Sequence, residues 1–270
     1  MEEKYDYEKT QYEDEEPDGD EEILPVRHSV WIRLIALITV VVFVGMIAAP
    51  LWKTFKARVP SSELLEDSLL LKEQIDRELL EAIVKIKVTP QELGSGGTAG
   101  QKNGTGFNVN SDGVIITNHH VIAGARSITV TFPDGKTYKA KSWAGMPEYD
   151  LAVIELERDS LAVVSLNPDM LPQPGDTLTV IGNPMDFNQL AVEGRLKDYV
   201  FVKDMPTAML YIDVPIYPGN SGSPVFNNDG EVVAVVFGSL RRIEEGKEKF
   251  YGLAIPIKEV LVLLEDSLQP

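Results

Sequence analysis

The chain is 270 residues long, 44% hydrophobic and 25% charged, enough apolar content to bury the core of one large domain or two small ones. It holds no cysteine and three histidines, His28, His119 and His120, which excludes disulfides, thiolate chemistry and cysteine-ligated zinc; no metal and no cofactor is expected. Of the net charge of -17, residues 1–22 carry -10, with 12 Asp and Glu against 2 Lys, and an acidic balance of this kind repels phosphate backbones, so no nucleic-acid partner is expected.

Residues 1–28 begin as a like-charged, tyrosine-dotted stretch with too little apolar surface to offset the entropy of ordering, and they are expected to form a disordered tail. Residues 29–52 follow as an expected transmembrane helix. Its centre, 34–52, is 19 consecutive uncharged residues rich in Ile, Val, Leu and Ala, and at about 1.5 Å per residue such a helix spans a bilayer. Trp31 and Trp52 suit interfacial positions, with Arg33 and Lys53 at the borders. A cleaved signal peptide is the rival reading; the acidic lead-in and the length of the apolar run favour an anchor. Arg27 and Arg33 on one side face Lys53, Lys56 and Arg58 on the other, so charge does not set the orientation.

Residues 53–81 read as a juxtamembrane linker and helix. Ser61 and Ser62 precede Glu63 and a leucine-rich run to Leu80, an N-cap followed by an acidic first turn. Leu64, Leu71, Ile75 and Leu79 line one face, and the residues leave open whether that face packs on its own domain or on another chain.

From residue 82 to 270 the period changes. Short strands are predicted at 83–88, 114–118, 127–132, 136–143, 151–156, 177–182, 210–214 and 231–237, with Asp-Gly turns before two of them, and 257–268 has helical spacing. Residues 94–104 form a glycine-rich loop without the lysine-threonine pattern of a phosphate loop. Repeated strands with little helix predict an all-β barrel or sandwich.

The chemistry lies in Gly219-Asn220-Ser221-Gly222-Ser223-Pro224. A serine hydroxyl becomes a nucleophile only when a base removes its proton, and the side-by-side His119 and His120 are the available bases. Asp150 opens the run Asp150-Leu151-Ala152-Val153-Ile154, a carboxylate at the head of a buried strand; Asp134 and Glu148 lead into no such strand.

Several motifs occur together in one order: Gly104-Thr105-Gly106-Phe107, Gly113 to Ile122 with Thr117-Asn118-His119-His120-Val121, the Asp150 strand, Asp213, Gly219-Asn220-Ser221-Gly222, and Gly252-Leu253-Ala254-Ile255-Pro256. In these the chain resembles the trypsin-like serine proteases, and among them the HtrA type, from about residue 82 to about 267. The resemblance implies two six-stranded antiparallel β-barrels with a C-terminal helix. It implies a catalytic triad of His120, Asp150 and Ser221, with His120 chosen over His119 because it directly precedes Val121, and an oxyanion hole from the amides of Gly219 and Ser221. It places the substrate pocket at Ile216, Tyr217, Val235, Val236 and Phe237; nothing charged lies there, so a small or medium aliphatic side chain is expected in it.

The resemblance further implies polypeptide substrates in unfolded or exposed segments, a role in protein quality control or stress response, a bacterial source, a homotrimer, and a protease domain outside the cytoplasm. Ser223 stands where the family has a second glycine and Tyr217 where it has asparagine, so the nucleophile loop could be gated. No PDZ domain is expected after Pro256. The alternative to an endopeptidase is a non-catalytic or gated protease-like peptide sensor or scaffold that signals across the membrane.

Overall fold

The computed structural model describes residues 34, 37–40, 60–91, 101–184, 187–244 and 247–267. The chain divides into two compact units, Met1–Lys53 and Thr54–Pro270. Of the first, residues 34 and 37–40 are described, and all are helical and exposed. Among the described residues no helix is long and apolar enough to cross a membrane. The predicted span over 29–52 lies, those five residues apart, outside them, as do the tail and most of the glycine-rich loop.

The second unit starts with helix α1, Ser62–Lys72, capped by Ser61, whose hydroxyl accepts from Leu64 N at 3.2 Å. The single helix predicted to Leu80 is instead two. Asp76 accepts from Glu78 N at 3.0 Å and caps a new helix α2, Arg77–Glu81, because a short carboxylate that bonds a backbone amide locally competes with helix continuation. Leu64, Leu65, Leu71, Ile75 and Leu79 pack on the core of the β-domain. Ser68 is buried and its hydroxyl accepts from Ala191 N at 2.8 Å, satisfying a sheet amide. This face of the segment therefore lies on its own domain.

The first sheet contains β1 Ile83–Pro90, β2 Lys102–Asn108, β3 Val114–Asn118, β4 Ala125–Thr131, β5 Thr137–Lys139, β6 Ser142–Met146 and β7 Leu151–Glu155, with a one-turn helix α3, His119–Ile122, after β3. Its order is β5-β4-β1-β2-β3-β7-β6. Seven strands in an open order stand where a closed barrel of six was expected, because the predicted strand 136–143 is bent. Ala140 N donates to Ile128 O on β4 at 3.0 Å and Lys141 N to Glu155 O on β7 at 2.8 Å, so one stretch of chain serves both edges of a rolled sheet.

The second sheet is the closed six-stranded barrel expected, β8 Thr177–Gly182, β9 Leu190–Phe201, β10 Ala208–Ile212, β11 Pro224–Phe226, β12 Val232–Glu244 and β13 Lys247–Pro256, ordered β10-β13-β12-β11-β8-β9. A 3-10 turn, Ile257–Val260, and helix α4, Leu261–Ser267, follow.

Neighbouring residues of the strands enter different cores. Val84, Ile115 and Ile154 pack inside the first sheet; Val180, Val225 and Val236 inside the barrel; and their neighbours Ile83, Ile116, Val153, Ile181, Phe226 and Val235 fill a third cluster that joins the two. Burial on both faces explains why these strands read as continuous apolar runs. Each such side chain contributes about 1.5–3 kcal/mol on leaving water.

Candidate active site

Asp150 closes the β6–β7 hairpin, in which Met146 pairs with Leu151. Tyr149 N donates to Met146 O and Asp150 N to Pro147 O, each at 3.2 Å, and the turn leaves Asp150 at φ 52°. That left-handed backbone costs a residue with a side chain about 1–3 kcal/mol and persists only where its surroundings fix it. Here both ends of the residue are held. Its carbonyl accepts from His119 N at 3.1 Å and from Asn118 Nδ2 at 3.0 Å. Its carboxylate grips the next residue twice, Oδ1 accepting from His120 N at 2.8 Å and Oδ2 meeting His120 Nδ1 at 2.6 Å. Asp150 is only 7% exposed. An ionised carboxylate only accepts, so a neutral imidazole paired with one carries its proton on Nδ1 and leaves the Nε2 lone pair free to accept.

Ser221 lies in the connection between β10 and β11. Gly219 and Gly222 there have φ of 100° and 85°. At Gly222 a methyl group would stand 2.1 Å from Thr105 O and 2.4 Å from Thr117 Oγ1, so only glycine fits. The loop is tied to both sheets: Thr105 N donates to Ser221 O at 2.9 Å, Gly222 N to Val236 O at 3.0 Å, and Val236 N to Ser223 O at 2.8 Å. Among the described residues, the amides of Gly219 and Ser221 donate to no acceptor.

The two halves converge at Gly104. A methyl group there would meet Val121 Cγ1 at 2.7 Å and Ser221 O at 3.4 Å, so the neighbour of His120 and the backbone of Ser221 share one position on β2. From the other side the His120 ring meets Phe237 edge to face, centroids 6.3 Å apart at 85°. Phe237 is the extra residue of an irregularity in the β12–β13 pairing between Val236 and Gly238, and such a bulge re-aims a side chain. Thus His120 and Asp150 are in direct contact, while no hydrogen bond from the Ser221 hydroxyl is found among the described residues.

Ile216, Tyr217 and Phe237 are partly buried, whereas Val235 and Val236 are wholly inside the cores. Burial pushes the Tyr217 phenol above its ordinary pKa. The His119 ring packs against Gly145, its Nδ1 buried and unpartnered. The competing carboxylates are elsewhere: Asp134 pairs with Lys136 at 2.7 Å, and Glu148 is exposed. Asp213 pairs with Lys197 at 3.0 Å. Sequence reasoning gave no role to Asn118, to Thr105, or to Lys102, whose Nζ donates to Ala123 O at 2.9 Å at the end of α3. The glycine-flanked position of Thr105, inside a motif already singled out, was the available signal.

Residues 104–235 match the trypsin-like peptidase domain family. Over 164 residues the chain is 35% identical to HhoB of Synechocystis sp., named as a serine protease, a match covering 58% of this chain and 38% of that protein. Over 134 residues it is 37% identical to a Marinomonas protein named as a DegP-like periplasmic serine endoprotease, covering 49% of this chain and 29% of that one. The fold is similar to a serine endoprotease from Yersinia pestis, with a TM-score of 0.60 and 27% identity over 77% of this chain and 67% of the other. The matched stretch thus spans well under half of the two sequence relatives. The stretch 104–235, which contains His120, Asp150 and Ser221, is thus similar to the trypsin-like peptidase domain, and the proteins it matches are named as serine proteases.

Proposed function

We propose that the protein is a membrane-anchored, HtrA-like serine endopeptidase that cuts unfolded or exposed polypeptide segments outside the cytoplasm, in protein quality control or stress response. The observation that carries the reading is the double grip of Asp150 on His120, 2.8 Å to the amide and 2.6 Å to Nδ1. It presents Nε2 as the base that takes the Ser221 proton as the hydroxyl oxygen attacks the peptide carbonyl. The unpaired amides of Gly219 and Ser221 would stabilise the oxyanion. His120 then hands the proton to the leaving amine, and water releases the acyl group by the same steps in reverse order.

Ile216, Tyr217 and Phe237, which are partly buried, with the buried Val235 and Val236, would line the uncharged pocket for an aliphatic side chain. The membrane anchor over 29–52, the extracytoplasmic domain and a homotrimer complete the proposal. Among the described residues the Ser221 hydroxyl makes no hydrogen bond; such bonds often tighten only when substrate binds, and a gated form of the enzyme is the second reading, raised by Ser223 and Tyr217 in and beside the nucleophile loop.

A fluorophosphonate probe tests the chemistry. Labelling that disappears in Ser221→Ala supports it, labelling that appears only with added peptide supports the gated form, and a folded protein that never labels favours the sensor. For the anchor, the full chain should sediment with membranes and a chain lacking residues 1–58 should not; sedimentation of both refutes it.

A further inference from the structure

We infer that Thr105 is a positioning residue for the oxyanion-binding amides, an inference resting on the serine endopeptidase reading above. Thr105 is on β2 in the first sheet and is 0% exposed, yet its bonds run to the loop of the second barrel. Its backbone N donates to Ser221 O at 2.9 Å, and its Oγ1 donates to Gly219 O at 2.8 Å. The same Oγ1 accepts from Asn183 N, just beyond β8, at 2.9 Å. Its own carbonyl accepts from Thr117 Oγ1 at 2.7 Å. A hydroxyl has one proton, and with Asn183 donating to it that proton is committed to Gly219 O.

A peptide unit is planar, so holding a carbonyl fixes the whole unit. Thr105 holds the unit between Gly219 and Asn220 through one carbonyl and the unit between Ser221 and Gly222 through the other. The unit that carries the Ser221 amide lies between these two and inherits its direction from both. The Gly219 amide joins the first held unit across one α-carbon, through its φ, at 100°, and its ψ, and glycine by itself resists rotation there least of any residue. The hydroxyl of Thr105 supplies the resistance that the missing side chain does not.

The test compares wild type, Thr105→Val and Thr105→Ser on a fluorogenic peptide, with kcat normalised to the fraction of Ser221 titrated by fluorophosphonate. It adds the inhibition constant of a peptide aldehyde, in which Ser221 Oγ bonds to the aldehyde carbon, the hydroxyl proton passes to His120, and the new oxyanion occupies the hole. Valine keeps the shape and removes the hydroxyl. We expect its kcat to fall about 10- to 100-fold with KM nearly unchanged and the aldehyde to weaken by a similar factor, and serine to restore both. A purely structural role would lower the melting temperature and the titratable fraction but leave kcat per titrated serine alone. Wild-type kcat in Thr105→Val, a loss confined to KM, or folded Thr105→Ser without rescue would overturn the inference. If Thr105→Val does not fold, Thr105→Cys, which leaves the Asn183 amide a weak acceptor, is judged by the same outcomes. Wild-type protein that neither labels nor cleaves defeats the endopeptidase reading itself, whereas an active wild type matched by Thr105→Val defeats this inference alone.

Discussion

Replacing Asp150 by asparagine preserves shape and puts a donor where one of two acceptors stood. In one orientation the amide oxygen keeps the bond from His120 N, seen at 2.8 Å, and the NH2 group faces His120 Nδ1, seen at 2.6 Å. Nδ1 must then accept, the ring proton moves to Nε2, and the base proposed for Ser221 is lost. In the other orientation the oxygen accepts from Nδ1, but NH2 and the backbone N–H of His120 point at each other. Leaving two donors unpaired in a nearly buried place costs about 1–3 kcal/mol, and that populates the useless tautomer by about one to two decades at 1.36 kcal/mol per decade. The lost stabilisation of the imidazolium by a carboxylate adds the rest, for a total near 10⁴ in kcat, about 5.4 kcal/mol. The assay is turnover of a fluorogenic peptide, with circular dichroism to establish that Asp150→Asn is folded. A folded variant within tenfold of wild type would refute the assignment of this carboxylate.

Gly222→Ala should destabilise the fold by about 3 kcal/mol or more, since the position combines positive φ with a methyl pressed on the Thr105 carbonyl; an unchanged urea midpoint counts against it. Gly145→Ala places a methyl 2.2 Å from His119 Nδ1. Because that neighbour is a side chain, the cost should be about 1 kcal/mol smaller in a His119→Ala background, and an additive double-mutant cycle would show the two are not in contact. At alkaline pH, the bond to Glu244 holds the Tyr251 phenol well above its ordinary range, and burial raises Tyr199 and Tyr217. Raised folded values mean stability that is complete below about pH 10 and lost as pH climbs through the folded pKa values. Tyr251→Phe should shallow that loss in urea titrations, and identical slopes would remove Tyr251 as its source.

Part of this was legible in the sequence. Val114–Asn118 and Thr177–Gly182 are observed with the bounds predicted, because both are apolar runs that turn signals delimit. The partnership of Asp150 with His120 was readable through the resemblance to the trypsin-like serine proteases; the residues alone marked Asp150 as a carboxylate at the head of a buried strand. What escaped has local causes. β9 was missed because Glu193, Gly194, Arg195, Lys197 and Asp198 interrupt its apolar pattern, and it is held as a strand by its neighbours in the barrel. The bend at Ala140 and Lys141 has no glycine or proline to announce it; it follows from amides that bond opposite edges of one sheet. The break at Asp76 depends on which of several acidic residues bonds the backbone. Thr105 reads as one more strand threonine until the second barrel is folded against it.

The strands that bury both faces raise a problem of indexing. A chain that slides by one residue in a half-exposed sheet turns its oily side to water, a large penalty that selects the right alignment. Between two dry interiors the same slide merely exchanges one oily environment for the other, and greasiness no longer discriminates. Discrimination falls instead to hydrogen-bonding groups buried in or beside these strands: Asn108 to Ala162 O at 2.7 Å, Thr117 to Thr105 O at 2.7 Å, Asn118 to Asp150 O at 3.0 Å and Asn183 to Val84 O at 3.1 Å. Each would be orphaned by a slip, at about 1–3 kcal/mol apiece. Two of the four surround the serine loop and the aspartate, so the marks that align the sheet and the supports of the chemistry are in part the same atoms.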